Sequence, residues 1–161
     1  MNSNGHYRKR IATPTGLMIL AARYQALIAL VWDESDLDAR GFGPILAGAS
    51  KPILAAEKQL GEYFRGKRRD FELELDPTGT MFQKQVWAQL AKIPYGETRS
   101  YSDLARDVGN PSATRAVGSA NGRNPICIIV PCHRVVRASG DIGGYAGGLE
   151  RKKFLLDLET K

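Results

Sequence analysis

Asp76-Pro77-Thr78-Gly79 separates two stretches whose hydrophobic patterns belong to different kinds of structure, and this break constrains the fold more than any other feature. Before it, residues 7–32 read as two or three strands: a run ending at Ile11, an apolar run at 16–21 and a second at 27–32. Residues 33–52 are rich in Asp, Gly and Ser and predict a surface loop. Lys51-Pro52 then opens a helix, with Ile53, Leu54, Glu57, Leu60, Tyr63 and Phe64 at helical spacing and Gly66 as its stop. Alternation over residues 71–75 predicts a half-buried strand. The subdomains implied are 1–76 and 77–161.

After the break the period becomes helical. Thr80-Met81-Phe82-Gln83 has the form of a capping box, and Phe82, Val86, Trp87 and Leu90 share one face. Ser100 can cap a short helix carrying Tyr101, Leu104, Ala105 and Val108. Gly109-Asn110-Pro111 breaks it before another helix over 112–120, a helix-turn-helix pattern. Residues 126–130 are apolar and β-branched and predict a buried strand or extended segment stopped by Pro131, with Cys127 as packing. A glycine-rich loop over 140–148 surrounds Tyr145, and a last helix over 149–159 packs through Leu149, Leu155, Leu156 and Leu158.

With 43% hydrophobic and 25% charged residues over 161 positions, a disordered or fibrous chain is excluded. No apolar run approaches the roughly 20 residues that span a bilayer, and the first residues lack a signal segment, so a cytosolic protein without membrane contact is expected. Cys127 and Cys132 lie too close for their bridge to close a large loop, and reduced thiols are expected. His6 and His133 are the only histidines and neither forms a ligand pair, so no metal site is expected. The net charge is +6, and +4 of it falls between Arg99 and Arg137, where six arginines face only Asp103 and Asp107. That localisation fits either a solvated basic face or a nucleic-acid partner.

Cys132, between Pro131 and His133, is offered at a structural break rather than inside a periodic face. A thiolate is the nucleophilic form, so activation requires nearby cations or an imidazole base held by a carboxylate. His133 and Arg134 are at hand, and in an extended segment His133 would reach the thiol through a water. An inert, packed cysteine is the plain alternative.

Pro131-Cys132-His133-Arg134-Val135, preceded by Asn124-Pro125 and followed by Gly144-Tyr145-Ala146-Gly147-Gly148, resembles the active-site signature of the O6-alkylguanine-DNA alkyltransferases, in their standalone bacterial-type form. The resemblance is strong over residues 80–159, including the Tyr101 helix and Arg115-Ala116-Val117-Gly118, and loose before them. It implies an α+β fold: an N-terminal ribonuclease-H-like α/β subdomain, then a mainly helical subdomain with a winged-helix-like helix-turn-helix. It implies a suicide reaction without cofactor, in which an alkylated guanine, or O4-alkylthymine, is flipped from duplex DNA and its alkyl group passes to Cys132. His133 would act as base through water, Glu159 would orient it, and Asn124 would brace the turn. Tyr101 would protonate the departing base with help from Lys152. The carbonyls of Cys132 and Val135 would accept from the base's amino group, and Tyr145, Ala146 and Gly147 would line its pocket. Arg115 would fill the gap in the stack, and Ser100, Thr114, Ala116, Asn121, Gly122 and Arg123 would meet the DNA from its minor-groove side. A monomer in solution is implied, with cooperative assembly on DNA left open.

Two positions depart from some relatives, Ala146 for serine and Asn121 for methionine; both leave backbone donation intact. Each carried-over residue also has a plain reading: Tyr101 as core, Arg115 as a solvated cation, Glu159 as a surface carboxylate, Asn124 as a turn former. Three rival functions compete. A Cys-His thiol hydrolase needs an orienting third residue and an oxyanion hole, and would turn over a thioester or peptide. A non-catalytic sensor of alkylated DNA would bind and transfer nothing, which the intact Cys132 argues against. A helix-turn-helix regulator with a zinc-bearing domain lacks the length and the cysteines here.

Overall fold

The computed structural model describes residues 6–40 and 46–161, and the chain divides into two compact units, residues 1–78 and 79–161. The first unit is a four-stranded sheet with helices. Strands β1 (His6–Thr13), β2 (Gly16–Arg23) and β3 (Ala26–Val31) form an antiparallel meander, and β4 (Leu46–Ala47) pairs in parallel with β1, giving the order β3-β2-β1-β4. Residues 18–22 and 27–31 are buried continuously rather than alternately, as expected of strands covered on both faces. Gly16, at φ 111°, closes the first hairpin, where the Thr13 hydroxyl donates to its carbonyl at 2.7 Å. Helix α2 (Lys51–Phe64) carries its proline in the first turn and buries Ile53, Ala56, Leu60 and Tyr63.

Three expectations for this unit need correction. Residues 33–52 are not all loop: α1 (Ser35–Ala39) buries Leu37, which recruits a short helical turn, and β4 follows; residues 41–45 lie outside those described. Leu54 is 52% exposed because it falls outside the Ile53-Ala56-Leu60-Tyr63 face of α2. Residues 71–75 alternate in burial, but Leu75 makes only a single bridge to Leu27. The Gln59 side chain satisfies Glu72 instead, accepting from its N–H at 2.9 Å and donating to its carbonyl at 3.1 Å, so no ladder develops there.

The second unit contains α3 (Met81–Leu90), α4 (Tyr101–Asp107), α5 (Thr114–Gly122) and α6 (Leu149–Glu159), with β5 (Arg99–Ser100) paired in parallel with β6 (Val135–Val136). Thr80 and Gln83 form the capping box, and Val86, Trp87 and Leu90 are buried. Gly79 is required by close approach: a Cβ there would lie 2.4 Å from the Trp87 ring. Ser100 caps α4, and Gly109 at φ 82° ends it, with the Asn110 N–H returning to the Ala105 carbonyl at 2.9 Å. Helix α5 starts two residues later than the sequence pattern implies, because Asn110 takes the Ala113 N–H into a turn. In α6 the buried residues are Lys152, Leu155 and Glu159; Leu149 is 53% exposed and Leu156 and Leu158 are half-buried, so the helix buries its polar stripe.

The segment 126–130 is neither strand nor extended. It is a buried turn in which the Val130 N–H bonds the Ile126 carbonyl at 3.0 Å and Ile128 takes φ 70°. Asn124 causes this: its Oδ1 accepts from Ile126 N at 3.0 Å and its Nδ2 donates to Val130 O at 2.8 Å, capturing backbone groups that a strand would need. A β-branched residue at positive φ costs on the order of 1–3 kcal/mol, which the surrounding packing must offset.

Candidate active site

Three local structures converge on Cys132. The Asn124-held turn delivers the chain to Pro131, where a single 3-10 turn, Cys132–Arg134, begins; the Cys132 N–H bonds the Val130 carbonyl at 2.8 Å. Pairing of β6 with β5 then sets the start of α4, and with it Tyr101, beside the residues that follow the cysteine. Helix α6 supplies Lys152 and Glu159, seven residues apart and so on one face.

Glu159 accepts from both neighbours of the turn. Its Oε1 lies 2.7 Å from His133 Nε2 and 2.8 Å from Arg134 Nη2, and its Oε2 accepts from Arg134 Nε at 2.9 Å. The same guanidinium donates to the Ile93 carbonyl at 2.7 Å and lies over the Tyr95 ring, 5.7 Å from its centroid. Burial resists ionisation of Glu159, but the hydrogen bonds from His133 and Arg134 outweigh it and hold the carboxyl at about 2. Burial also pushes the His133 imidazole down despite Glu159, so the ring is neutral near pH 7. With Nε2–H assigned as donor to the carboxylate, Nδ1 is left as a basic lone pair, buried and without a protein partner.

Both shifts are downward, so acid destabilises the fold. Below pH 6.5 the unfolded chain protonates its histidine while His133 resists, and stability declines as pH falls. From about 4.5 toward 2, protonation of Glu159 removes a further contribution on the order of 3 kcal/mol. Urea unfolding between pH 7 and 3 should therefore show a two-stage loss, and a flat profile would refute the assignment.

The Cys132 thiol is 2% exposed and held below its ordinary range, first by a hydrogen bond from Cys127, then against burial by Asn124, Tyr145 and the charge of Lys152. Lys152 is fully buried, and burial lowers it to about 8. Burial and the Cys132 charge raise Tyr101. A Cβ at Gly143 would lie 3.4 Å from the Tyr101 hydroxyl and one at Gly118 would lie 3.7 Å from its ring, so the ring sits between the glycine loop and α5.

Most of the site residues read from the sequence therefore gather in one place: Cys132, His133, Glu159, Tyr101, Asn124, Lys152, Tyr145 and Val135. Lys152 differs in its partners: Nζ donates to the carbonyls of Val135 at 2.6 Å and Gly144 at 3.0 Å, because α6 aims it across the β6 strand rather than at the Tyr101 hydroxyl. The Cys132 carbonyl accepts from Asn121 Nδ2 at 3.4 Å and from the Val135 N–H that closes the turn, and the Val135 carbonyl takes the Lys152 ammonium. Asn121 is 5% exposed and faces inward to the cysteine, which removes it from the outer face of α5. That face consists of Arg115, Ala116, Ser119, Gly122 and Arg123, all exposed, with Thr114 half-buried at its start. The Ser100 hydroxyl is occupied as the α4 cap, accepting from Asp103 N at 3.0 Å. Ala146 is exposed, and the Gly147 carbonyl accepts from Arg151 at 3.2 Å. Arg134, expected from the sequence as a cation at hand for the thiol, instead clasps Glu159 and the Ile93 carbonyl.

A cavity of about 330 Å³ opens beside Val136, Ile142, Leu156 and Glu159. Cys132 does not line it, so it is a cleft behind the carboxylate and not the nucleophile's pocket. No group of three or more His, Cys, Asp or Glu among the described residues is placed to hold a metal ion. No helix among them is long and apolar enough to cross a membrane.

A buried, acidified cysteine backed by a carboxylate-held imidazole, in a unit that also carries two short helices joined by a turn, defines a protein built around an activated thiol. Residues 81–161 match the family model described as 6-O-methylguanine DNA methyltransferase, DNA binding domain. The methylated-DNA–protein-cysteine methyltransferase of Mycolicibacterium paratuberculosis is 46% identical over 153 residues, spanning 95% of this chain and 92% of that protein. That of Methanosarcina acetivorans is 59% identical over 104 residues, 65% of this chain and 67% of its own. The crystal structure of Mycobacterium tuberculosis OGT in complex with DNA superposes with a TM-score of 0.86 at 45% identity, covering 96% of this chain and 92% of that one. The chain belongs to the methylated-DNA–protein-cysteine methyltransferase family.

Proposed function

We propose that the protein repairs duplex DNA by moving the alkyl group of O6-alkylguanine, and of O4-alkylthymine, to Cys132 in one irreversible turnover. The observation that carries this is the pairing of a cysteine held toward thiolate with an imidazole whose Nε2 is fixed by Glu159 and whose Nδ1 is left basic. The thiol proton passes through a water to Nδ1. The sulfur then forms a bond to the alkyl carbon as the carbon–O6 bond breaks, and Tyr101 protonates the departing base. Lys152 contributes its charge to Cys132 and ties the carbonyls of Val135 and Gly144, while Tyr145, Ala146 and Gly147 wall the base pocket. Helix α5 enters the minor groove through Arg115, Ala116, Gly122 and Arg123. Contacts of that kind read backbone and shape, which suits damage in any sequence context.

Helices α4 and α5 act as a winged-helix-like helix-turn-helix. The first unit is a ribonuclease-H-like support, a reading favoured by three antiparallel strands, a parallel edge strand and α2. The acceptor, base and cap all come from one chain, so a monomer suffices, and the cytoplasm is its compartment.

The decisive experiment is intact mass and peptide mapping after incubation with a duplex carrying one O6-methylguanine. One methyl on the Cys132 peptide, saturating at one equivalent, is expected. Binding without modification would overturn the proposal in favour of a damage sensor. Flipping costs a few kcal/mol, so Arg115→Ala should slow transfer from duplex about tenfold or more yet leave transfer from a single strand unchanged. Single-turnover rates on the two substrates test this, and equal losses on both would refute a stack-filling role.

A further inference from the structure

The buried cation of Arg134 has no part in the reaction described above, yet it is bonded to the acid that serves the base. Its guanidinium is held from four directions: Nε donates to Glu159 Oε2 at 2.9 Å, Nη2 to Glu159 Oε1 at 2.8 Å and Nη1 to the Ile93 carbonyl at 2.7 Å, and the Tyr95 ring centroid lies 5.7 Å away. A fork of this kind fixes the plane of a carboxylate as well as its place. The second lone pair of Oε1 is thereby aimed at His133 Nε2, 2.7 Å away. All three side chains are buried, so their summed charge matters. A buried carboxylate paired with an imidazole alone reaches neutrality by protonating the ring. With a guanidinium already balancing the acid, a proton on the ring would leave a net charge in the interior.

We infer that Arg134 is a positioning residue for the transfer: by clasping Glu159 it aims the carboxylate at Nε2 and balances its charge, which keeps the imidazole neutral and Nδ1 open to the thiol proton. The inference rests on Cys132 being the acceptor and His133 its base. Burial first, then the charges of Arg134 and Lys152, oppose a proton on the ring, and the Glu159 carboxylate favours one. The groups facing His133 are Glu159 and Lys152 from α6 and Arg134 from its own turn, with the Cys132 thiol preceding it. Helix α3 also packs on that turn, but it buries Val86, Trp87 and Leu90, and its one titratable residue, Lys84, is exposed. The Lys152 ammonium is spent on the carbonyls of Val135 and Gly144, whereas Arg134 touches the acid itself.

The chain has only two histidines, so nitrogen NMR of the imidazole rings reads His133 directly, with His6→Gln to assign the signals. In the parent, His133 should be neutral at pH 7 in its Nε2–H form and titrate below 6.5. Arg134→Met, which removes both the charge and the fork, should raise that midpoint by about two pH units and leave both ring nitrogens protonated at pH 7. Single-turnover transfer from O6-methylguanine duplex should then fall about tenfold at pH 7 and recover as pH rises through the new midpoint. Arg134→Lys keeps a cation without the fork and should bring the midpoint back toward the parent's. An arginine that served the fold alone would lower the stability of both variants and leave the His133 midpoint in place, which overturns the inference. Unchanged transfer with the ring charged overturns it too, as does a parent midpoint above 6.5, a measurement that needs no variant to fold. A parent that moves no methyl to Cys132 would remove the proposed function instead, while the ring signals still decide what Arg134 does to the histidine.

Discussion

Cys132→Ser is expected to lose alkyl transfer altogether and still to bind duplex DNA. Cys127, Asn124, Tyr145 and Lys152 surround the sulfur with donors and charge suited to a thiolate. An alcohol ionises so far above neutrality that the same environment leaves it protonated, and a neutral hydroxyl does not displace guanine from an alkyl carbon. The DNA-facing side of α5, with Arg115 and Arg123 exposed, is untouched by the change. Anisotropy with labelled alkylated duplex should therefore report near-parental affinity, while mass analysis shows an unmodified protein. Any stoichiometric methyl on the serine variant would remove the cysteine from its assigned role.

Glu159→Gln should lose on two independent scales. Glutamine keeps the volume, but its neutral amide cannot accept all three bonds now made by His133 Nε2, Arg134 Nε and Arg134 Nη2. The buried Arg134 charge is left without its counter-ion, and breaking such a pair costs roughly 3–5 kcal/mol, visible as a drop in unfolding free energy. The transfer rate should fall by about 10²–10⁴, because His133 loses the group that fixes its tautomer and supports its basicity. A second substitution separates the scales. Arg134→Met in the Glu159→Gln background removes the stranded cation and should recover much of the stability, with the rate still low. Recovery of both together would mean that Glu159 serves the fold alone.

The strand meander, α2 and the helices after residue 79 were legible because period and caps agree there: Thr80 with Gln83 and Ser100 with Asp103 are local pairs that a linear sequence displays. The turn at 126–130 was illegible because a β-branched run reads as strand, and only the Asn124 side chain, acting across six residues, overrides it. Helix α6 misled for a related reason. Its leucines suggest the packing face, whereas the buried stripe joins Leu155 to Lys152 and Glu159, two charged residues whose partners Val135 and His133 lie 17 and 26 positions away. The cysteine motif carried the chemistry in plain view. The carboxylate's second client, Arg134, did not show, since nothing in the order of residues says that one acid serves two bases.

The two tryptophans divide between the units. Trp32 donates its indole N–H to the Thr15 hydroxyl at 3.1 Å, and Trp87 donates to the Ala120 carbonyl of α5 at 2.8 Å. Each half of the molecule thus holds one optical reporter, and Trp87 is anchored to the helix assigned to the groove. With Trp32→Phe, emission comes from Trp87 alone, so a shift on adding DNA would record movement of α5 in real time, without a label.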